Sequence, residues 1–181
     1  MSTGEKKKSN PQTHKANAFD KAAAYLSAQP RTQCEVRKYL KQKEYDASEI
    51  DDAVKQLLEY GYLDDLQYCQ SYIRVAAGKG KGQKKIRQEL EARGIGYETM
   101  KAAMLRMEED GDDSGSGNPV VLDEKKRALE VAVKMARQQL SEGKALDEKF
   151  LARAARRLAG LGYTTDVIYF VIGKLRGIKT R

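Results

Sequence analysis

Apolar side chains recur along the chain three and four residues apart, the spacing of an α-helix, and almost nowhere at the alternate spacing of a strand. Glycines, prolines and short polar stretches interrupt this pattern. The fold class predicted is therefore all-α, with nine helices. The first begins near Phe19 and ends before Pro30. The other eight carry their apolar stripes at Val36–Leu40, Ile50–Leu58, Leu66–Ile73, Ile86–Leu90, Met100–Met107, Leu129–Met135, Leu151–Leu158 and Val167–Leu175.

Helix ends are also encoded in the sequence, most clearly between the third and fourth predicted helices. Gly61 can adopt the left-handed backbone that ends a helix. Asp64 can accept hydrogen bonds from the free amides that begin the next helix. Two capping boxes, in which a hydroxyl and a carboxylate lie three residues apart, are predicted at Thr32–Glu35 and at Ser48–Asp51.

The apolar pattern occurs three times at fixed offsets. With Leu40, Leu90 and Leu158 superimposed, the positions 4 before and 5, 10, 14 and 17 after each leucine are apolar in every copy. This agreement predicts three tandem three-helix repeats of helix-turn-helix type, and a single irregular helical bundle is the alternative. A repeat of about 45 residues buries too little apolar surface to be stable alone. The repeats are therefore expected to pack in an elongated array, straight or curved.

The predicted domain organisation consists of the three repeats, one tail and one linker. The repeats are assigned to residues 18–63, 64–109 and 123–181. Residues 1–17 lack an apolar stripe and are predicted to form a disordered basic tail, for which a solvated tail is favoured over a nucleic-acid-binding arm. Residues 110–122 are rich in glycine, serine and aspartate, so a flexible acidic linker is predicted there.

The composition of the 181 residues, 40% hydrophobic and 33% charged, is typical of a soluble protein with a small core. No apolar run approaches the roughly 18 to 20 residues of a membrane span, and the first residues lack the apolar core of a secretory signal. We therefore expect a cytoplasmic protein. Cys34 and Cys69 are too few for a disulfide framework, and with His14 as the one histidine a zinc site is not predicted.

The net charge of +8 lies mostly in the last third of the chain. Residues 123–181 contain 14 lysines and arginines and 7 aspartates and glutamates, a difference of +7. A basic surface of this kind suits a nucleic acid or an acidic protein, and it also keeps a chain soluble. Composition alone does not decide among these three explanations.

No enzyme is predicted, because no candidate site has the required chemistry. The pairs Asp51–Asp52 and Asp64–Asp65 lie in first turns, where helix capping explains them better than acid–base catalysis does. The glycine-rich segment Gly78–Gly82 follows a helix and is not followed by the Lys-Ser/Thr pair of a phosphate-binding loop. Neither a cofactor nor a metal site is predicted.

Two basic clusters contain the candidate binding residues. The first combines the glycine-rich turn with the beginning of a helix, whose free amides attract anions. The second lies in the third repeat. For each cluster a solvated face and a binding face explain the charges equally well. The candidate residues are Lys81, Lys84, Lys85, Arg87, Arg153, Arg156, Arg157, Lys174 and Arg176, with Lys79 and Arg93 also in the first cluster and Lys179 and Arg181 also in the second.

Three stretches of the sequence carry a family resemblance: Gly61–Asp65 followed by Tyr68–Cys69, Gly82–Leu90 followed by Arg93–Ile95, and Arg156–Leu158 followed by Gly162–Tyr163 and Ile168. In these stretches the chain resembles the RecX family of bacterial recombination regulators. It departs from the family at Cys69, where alanine is common, and in its acidic linker. The resemblance spans residues 18 to 176 in the family's order.

The resemblance implies a non-enzymatic protein of three tandem three-helix repeats that regulates homologous recombination and the SOS response. It implies binding to RecA and to the RecA–DNA filament, and modulation of RecA activities that is mainly inhibition. We expect a monomer with weak direct binding of DNA. The alternative is a stand-alone basic helical protein that binds DNA without RecA, and a helical scaffold for another protein is a third hypothesis.

Overall fold

The computed structural model describes residues 17–109 and 124–179, which are almost entirely helical. No strand occurs within these ranges, and the predicted all-α fold is confirmed. The predicted linker, all but the last residue of the predicted tail, and Arg181 lie outside the described residues. The helices are α1 (Ala18–Ala28), α2 (Gln33–Gln42), α3 (Ala47–Glu59), α4 (Asp65–Gly78), α5 (Gln83–Ala92), α6 (Tyr97–Glu109), α7 (Glu124–Ser141), α8 (Glu148–Gly160) and α9 (Thr165–Lys179).

These helices form three consecutive groups, α1–α3, α4–α6 and α7–α9, and each group has its own hydrophobic core. In every group the first and third helices pack against each other. The apolar positions that superimpose in the sequence are buried or partly buried in all three groups. The repeat boundaries at 18–63, 64–109 and 123–181 remain a proposal, which the three separate cores support. None of the helices within the described ranges is long and apolar enough to span a membrane.

Side-chain caps determine where the helices begin. The predicted capping box at Thr32 is confirmed. The box predicted at Ser48–Asp51 is wrong, because α3 begins two residues earlier with Asp46 as its cap and Glu49 as the reciprocal partner. Both pairs have the spacing of a capping box. Asp46 occupies the cap because Tyr45, directly before it, is buried in the core and ends the preceding turn.

The two aspartates between the first and second groups have different roles. Asp64 caps its own helix, accepting a hydrogen bond from the backbone N–H of Gln67 at 2.8 Å. Asp65 instead accepts from the backbone N–H of Gln33 at 2.9 Å, at the beginning of α2 in the other group. Gly61 adopts the predicted left-handed conformation, with φ of 72°. The second aspartate therefore joins the two groups.

The contact between the first and second groups, which we call junction 1–2, brings together the ends of their middle helices. The Thr32 hydroxyl at the beginning of α2 donates to the Arg93 carbonyl at the end of α5, at 2.6 Å. The Gln33 amide beside it donates to the Asp65 carboxylate. Free amides and carbonyls at helix ends are thus satisfied by the neighbouring group.

The contact between the second and third groups, junction 2–3, uses the same positions. The Gly82 amide at the beginning of α5 donates to the Leu161 carbonyl at the end of α8, at 2.8 Å. The Gln83 amide donates to the Glu124 carboxylate, also at 2.8 Å. In helix register, Gly82 and Gln83 correspond to Thr32 and Gln33. Their acceptors Leu161 and Glu124 correspond to Arg93 and Asp65. The middle helices therefore meet end to end along the series.

A glycine lies at each junction where two backbones approach closely. Gly94 has φ of 82°, and a Cβ atom there would lie 2.3 Å from the Cβ atom of Cys34. Gly162 has φ of 85°, and its Cβ atom would lie 2.4 Å from the Cβ atom of Lys85. The counterpart in the first group is Glu44, which has φ of 61°. Glycine thus occurs in the turn after the middle helix of the second and third groups, where the preceding group packs against that turn. Within the described residues no group precedes the first, whose turn has Glu44 at this position.

Candidate functional site: two equivalent grooves

Lys81, predicted to bind a partner, is engaged within the second group. Its Nζ atom lies 2.7 Å from both carboxylate oxygens of Glu89, to which the Tyr72 hydroxyl also donates at 2.6 Å. The hydrogen bond to Glu89 raises the pKa of Lys81. Burial acts to raise the pKa of Glu89, but the hydrogen bonds from Lys81 and Tyr72 outweigh it, so the pKa is lowered. This cluster connects α4, the following turn and α5.

Predicted residues in the third group also contact neighbouring side chains. Arg153 donates to the side-chain oxygen of Gln139 at 2.5 Å. Arg176 forms an ion pair with Glu148 at 3.1 Å. Lys174 lies on α9 with its Nζ atom 5.7 Å from the centre of the Phe170 ring. The two arginines therefore link helices of the third group to one another.

The remaining predicted residues are spread over the surface. Lys84, Arg87 and Arg156 are exposed, whereas Lys85 is half-buried next to the turn at junction 2–3. Arg157 is exposed and lines the groove described next. Of the nine candidate residues, Arg157 is the one that lines this groove. The other eight are not brought together there.

A basic groove of about 670 Å³ runs along junction 2–3. One wall is α7, and the other is formed by the end of α4 with its following turn and by the end of α8. Apolar side chains, including Val131, Met135 and Leu161, line part of the groove. Glu130 is the one acidic residue of its lining. The basic residues that line it are Lys79, Lys126, Arg127, Lys134 and Arg157.

Three of these cations have charges that are not offset by a fixed carboxylate. Within residues 17–109 and 124–179, the side chains of Lys79, Lys134 and Arg157 form no ion pair. All three side chains are exposed to solvent. The groove therefore presents positive charge to a ligand without first having to break internal contacts of these residues.

Sequence reasoning missed the cations that α7 contributes to the groove. Lys126 and Lys134 are eight residues apart, and residues at four-residue intervals share a face of a helix. That spacing was a usable signal for a basic face on α7. Lys79 belonged to a predicted cluster, but its proximity to α7 depends on how the second and third groups meet.

A second groove, of about 610 Å³, lies at junction 1–2 and has different chemistry. Its lining includes Pro30, Tyr62, Tyr68, Tyr72 and Val75. Tyr62 is 63% exposed and Val75 is 56% exposed, so apolar and aromatic surface faces solvent here. This groove is therefore largely apolar and aromatic where the first is basic.

The two grooves are structural equivalents. Asp65 and Glu124 occupy the same position in helix register, because each accepts from the first amide of the preceding middle helix. Counting from them pairs five lining residues of α4 with five of α7. The pairs are Gln67 with Lys126, Tyr68 with Arg127, Ser71 with Glu130, Tyr72 with Val131 and Val75 with Lys134. The same cleft thus recurs at each junction with different side chains.

Among the described residues, Arg31 is the one basic residue that lines the aromatic groove, and its guanidinium lies 4.6 Å from the centre of the Tyr25 ring. Another arginine at junction 1–2, Arg93, is held by internal contacts. Arg93 donates to the Tyr68 hydroxyl at 3.2 Å and to the Glu35 carboxylate at 3.4 Å. Its guanidinium also lies 4.9 Å from the centre of the Tyr72 ring. Arg93 thus connects α2 with α4 and α5. Its charge stabilises junction 1–2.

The cysteines are packing residues within this architecture. Cys69 is fully buried, and burial raises the pKa of its thiol to about 11. The thiol therefore stays protonated and weakly nucleophilic at neutral pH. Cys34 packs against Gly94 at junction 1–2. Over the described ranges, no three histidine, cysteine, aspartate or glutamate side chains form a group suited to a metal ion.

Comparison with known proteins gives consistent similarities. Residues 18–57 match the first three-helix domain of RecX, and residues 64–104 match the second. The chain is 30% identical over 153 residues to the regulatory protein RecX of Vibrio vulnificus (strain CMCP6), covering 84% of this chain and 89% of that relative. The crystal structure of RecX from Lactobacillus salivarius has a TM-score of 0.68 at 21% identity, covering 88% and 94% of the two chains. A second RecX crystal structure has a TM-score of 0.64 at 24% identity, covering 86% and 70%.

Proposed function

The chain belongs to the RecX family of regulatory proteins, and from this membership we propose that it binds RecA and the RecA–DNA filament. In this proposal it modulates RecA activities, mainly by inhibition, and so regulates homologous recombination and the SOS response in the cytoplasm. The observation that carries the proposal is the extent of the family match. It covers 89% of a curated relative and continues beyond the two matched three-helix domains.

The geometry of the grooves supports a filament as the partner. Equivalent clefts recur at successive junctions, and a filament likewise presents equivalent protomers in succession. One cleft is aromatic and suits protein, whereas the other is basic and suits phosphate. A RecA–DNA filament offers protein and DNA next to each other, so one molecule of this protein has a surface for each component.

The mechanism that we propose is bridging. The surfaces on either side of junction 1–2 contact successive RecA protomers, while the basic third group helps to hold the protein on the filament. Exposed Lys84, Arg87 and Arg156 remain candidates for filament contacts, as does the half-buried Lys85. A protein that joins neighbouring protomers opposes the changes between them that accompany ATP turnover.

The test is the ATPase activity of RecA on single-stranded DNA, titrated with this protein. We expect the rate to fall and to level off once the protein is in stoichiometric excess. The variant with Arg156→Glu and Arg157→Glu should require more protein for the same inhibition while keeping its helical content. Lys55→Glu, at an exposed position on α3 outside both basic clusters, controls for the effect of a charge reversal in itself. An unchanged ATPase rate at stoichiometric excess of the wild-type protein contradicts the proposal.

The alternative function is DNA binding without RecA, and the basic groove is the observation that favours it. Measurements of DNA binding against salt, with and without RecA, distinguish the two functions. Tight binding to DNA alone, with a steep dependence on salt, favours the stand-alone protein. Weak binding to DNA alone that RecA strengthens favours the regulator.

A further inference from the structure

We infer that the cleft at junction 2–3 binds a phosphodiester backbone. A cleft of the same architecture recurs at junction 1–2, but the five cations line only the cleft at junction 2–3, and they confine the binding to it. The ligand class is a nucleic acid strand, held through its phosphates without reading of bases. The site consists of Lys79, Lys126, Arg127, Lys134 and Arg157. Within the proposed function, this assigns the contact with DNA to one junction. It also applies to the protein without RecA.

The cations come from both walls of the cleft. On one wall, Lys126 and Lys134 are eight residues apart on α7, a separation of about 12 Å along the helix axis. On the other, Lys79 follows the end of α4, and Arg157 lies near the end of α8. Positive charge therefore lines both sides of a path longer than one phosphate group. A strand with phosphates at regular intervals matches this arrangement.

The residue types indicate phosphate recognition that is independent of sequence. Lysine presents a compact charge on a flexible stem and binds phosphate without a fixed geometry. Lys79 and Lys134 have no ion pair with any described residue, so phosphate would be their partner in the cleft. The apolar lining residues Val131, Met135 and Leu161 offer no hydrogen bonds to base edges. Besides the cations, only Glu130 and Gln138 of the described residues line the cleft with side chains able to form them. Affinity is therefore expected to come from charge and to depend steeply on salt.

The glycine-rich turn between α4 and α5 forms part of this cleft. A Cβ atom on Gly80 would lie 2.9 Å from Val131 of α7, and one on Gly82 would lie 2.5 Å from the carbonyl oxygen of Gly162. Glycine at both positions lets the turn pack closely on the third group. A Cβ atom on Gly78 would have no atom within 4 Å, and this glycine lines the open side. The turn thus brings Lys79 to the cleft.

The cleft at junction 1–2 serves as an internal comparison. Val75 occupies the position of Lys134, and Gln67 occupies that of Lys126. The opposite wall has Gln29 and Pro30 where junction 2–3 has Lys79 and Gly80. Arg31 and Asp64 are the charged residues in the described lining of this cleft, so the same architecture at junction 1–2 has no net positive charge to bind phosphate. Its exposed aromatic surface suits protein contacts instead.

The experiment measures binding of the full chain to a fluorescein-labelled single-stranded oligonucleotide over a range of NaCl concentrations. The slope of log K against log salt is negative, and each phosphate neutralised on a single strand adds about 0.7 to its magnitude. The double variant Lys134→Ala with Arg157→Ala should reduce this magnitude by about 1.4. Lys55→Ala, at an exposed position outside both clefts, should leave the slope unchanged. Circular dichroism verifies that each variant keeps its helical content.

A second variant tests the common architecture by gain of binding. Gln67→Lys with Val75→Lys places cations at junction 1–2 in the positions of Lys126 and Lys134. The magnitude of the slope should increase by about 1.4, because two further phosphates are neutralised. No rise in a folded protein overturns the inference that the common cleft accepts the backbone.

Three other results also overturn the inference. The first is that the wild-type chain does not bind the oligonucleotide at low salt, and the second is that the double variant leaves the slope unchanged. The third is that poly-L-glutamate competes as effectively as an unlabelled oligonucleotide of equal charge. The last result would assign the cleft to an acidic protein. The RecA ATPase titration separates this inference from the proposed function. If the wild-type protein inhibits the RecA ATPase but the double variant has the same salt dependence of DNA binding as the wild type, the phosphate site is overturned and the proposed function is retained.

Discussion

Gly61 and Gly162 share a backbone conformation but have different surroundings. Their φ angles are 72° and 85°, in the region that glycine adopts most readily. A Cβ atom on Gly61 would have no atom within 4 Å, whereas one on Gly162 would lie 2.5 Å from the backbone nitrogen of Lys85. The first glycine ends a helix, and the second also allows two groups to meet. Local sequence predicted the first role, but the second depends on a residue that is distant in the chain.

The substitution Gly61→Ala should cost about 1 to 2 kcal/mol of the free energy of unfolding, the usual penalty for a left-handed alanine. Gly162→Ala should cost more than Gly61→Ala, because the added methyl group also pushes against backbone atoms of Lys85. Urea denaturation of the two variants and the wild type measures this difference. Equal losses would show that the close approach at junction 2–3 adds nothing to the penalty.

At the scale of helices, the cluster of Lys81, Tyr72 and Glu89 shows why a basic segment is ambiguous in the sequence. The lysine belongs to a run of charges that was predicted to bind a partner. In the structure its side chain and that of Glu89 are about three-quarters buried, and they connect the turn before α5 with α5 itself. Helical periodicity predicts which positions share a face. It does not predict which charge finds an internal partner, because that depends on how α4 packs against α5.

Glu89→Gln should destabilise the protein at pH 7 by on the order of 1 to 2 kcal/mol, since charge-assisted hydrogen bonds from Lys81 and Tyr72 are weakened. The folded state lowers the pKa of Glu89 from its ordinary value of 4.5, so the carboxylate contributes stability above that value. This contribution is lost as the pH falls through the lowered pKa. The difference between wild type and variant should therefore narrow below pH 4.5.

Urea denaturation at pH 7 and at pH 3 checks this prediction. Glu91→Gln is the matched control, because Glu91 lies on the same helix and is exposed. The control should have little effect at either pH. A loss of stability for Glu89→Gln that stays the same at both pH values would contradict the role assigned to its carboxylate.

At the scale of the whole molecule, the core is divided into three parts, each formed within one group of helices. Stability in such a series is approximately the sum of the stabilities of the groups and of the contacts between neighbours. The periodic apolar positions made this core predictable from the sequence. The basic cleft was not predictable, because Lys79, Lys134 and Arg157 lie on separate helices and meet at a junction.

Leu57→Ala removes a fully buried side chain from the first core and should cost about 2 to 5 kcal/mol there. Hydrogen exchange should consequently speed up most in α1–α3, less in α4–α6 and least in α7–α9. Mass spectrometry of peptic peptides measures this order. Leu58→Ala, at a neighbouring position that is 40% exposed, should change exchange much less. An equal increase in all three groups would show a single cooperative unit.

The end-to-end meeting of the middle helices has an electrostatic consequence. Each helix carries a partial positive charge at its first residue and a partial negative charge at its last. At both junctions these opposite partial charges are adjacent and offset each other, through the contacts of Thr32 with Arg93 and of Gly82 with Leu161. The paired ends of the middle helices therefore add little to the large-scale field of the molecule, whereas the side chains of residues 123–181 add an excess of +7. A polyanion approaching from a distance is consequently steered to the third group first.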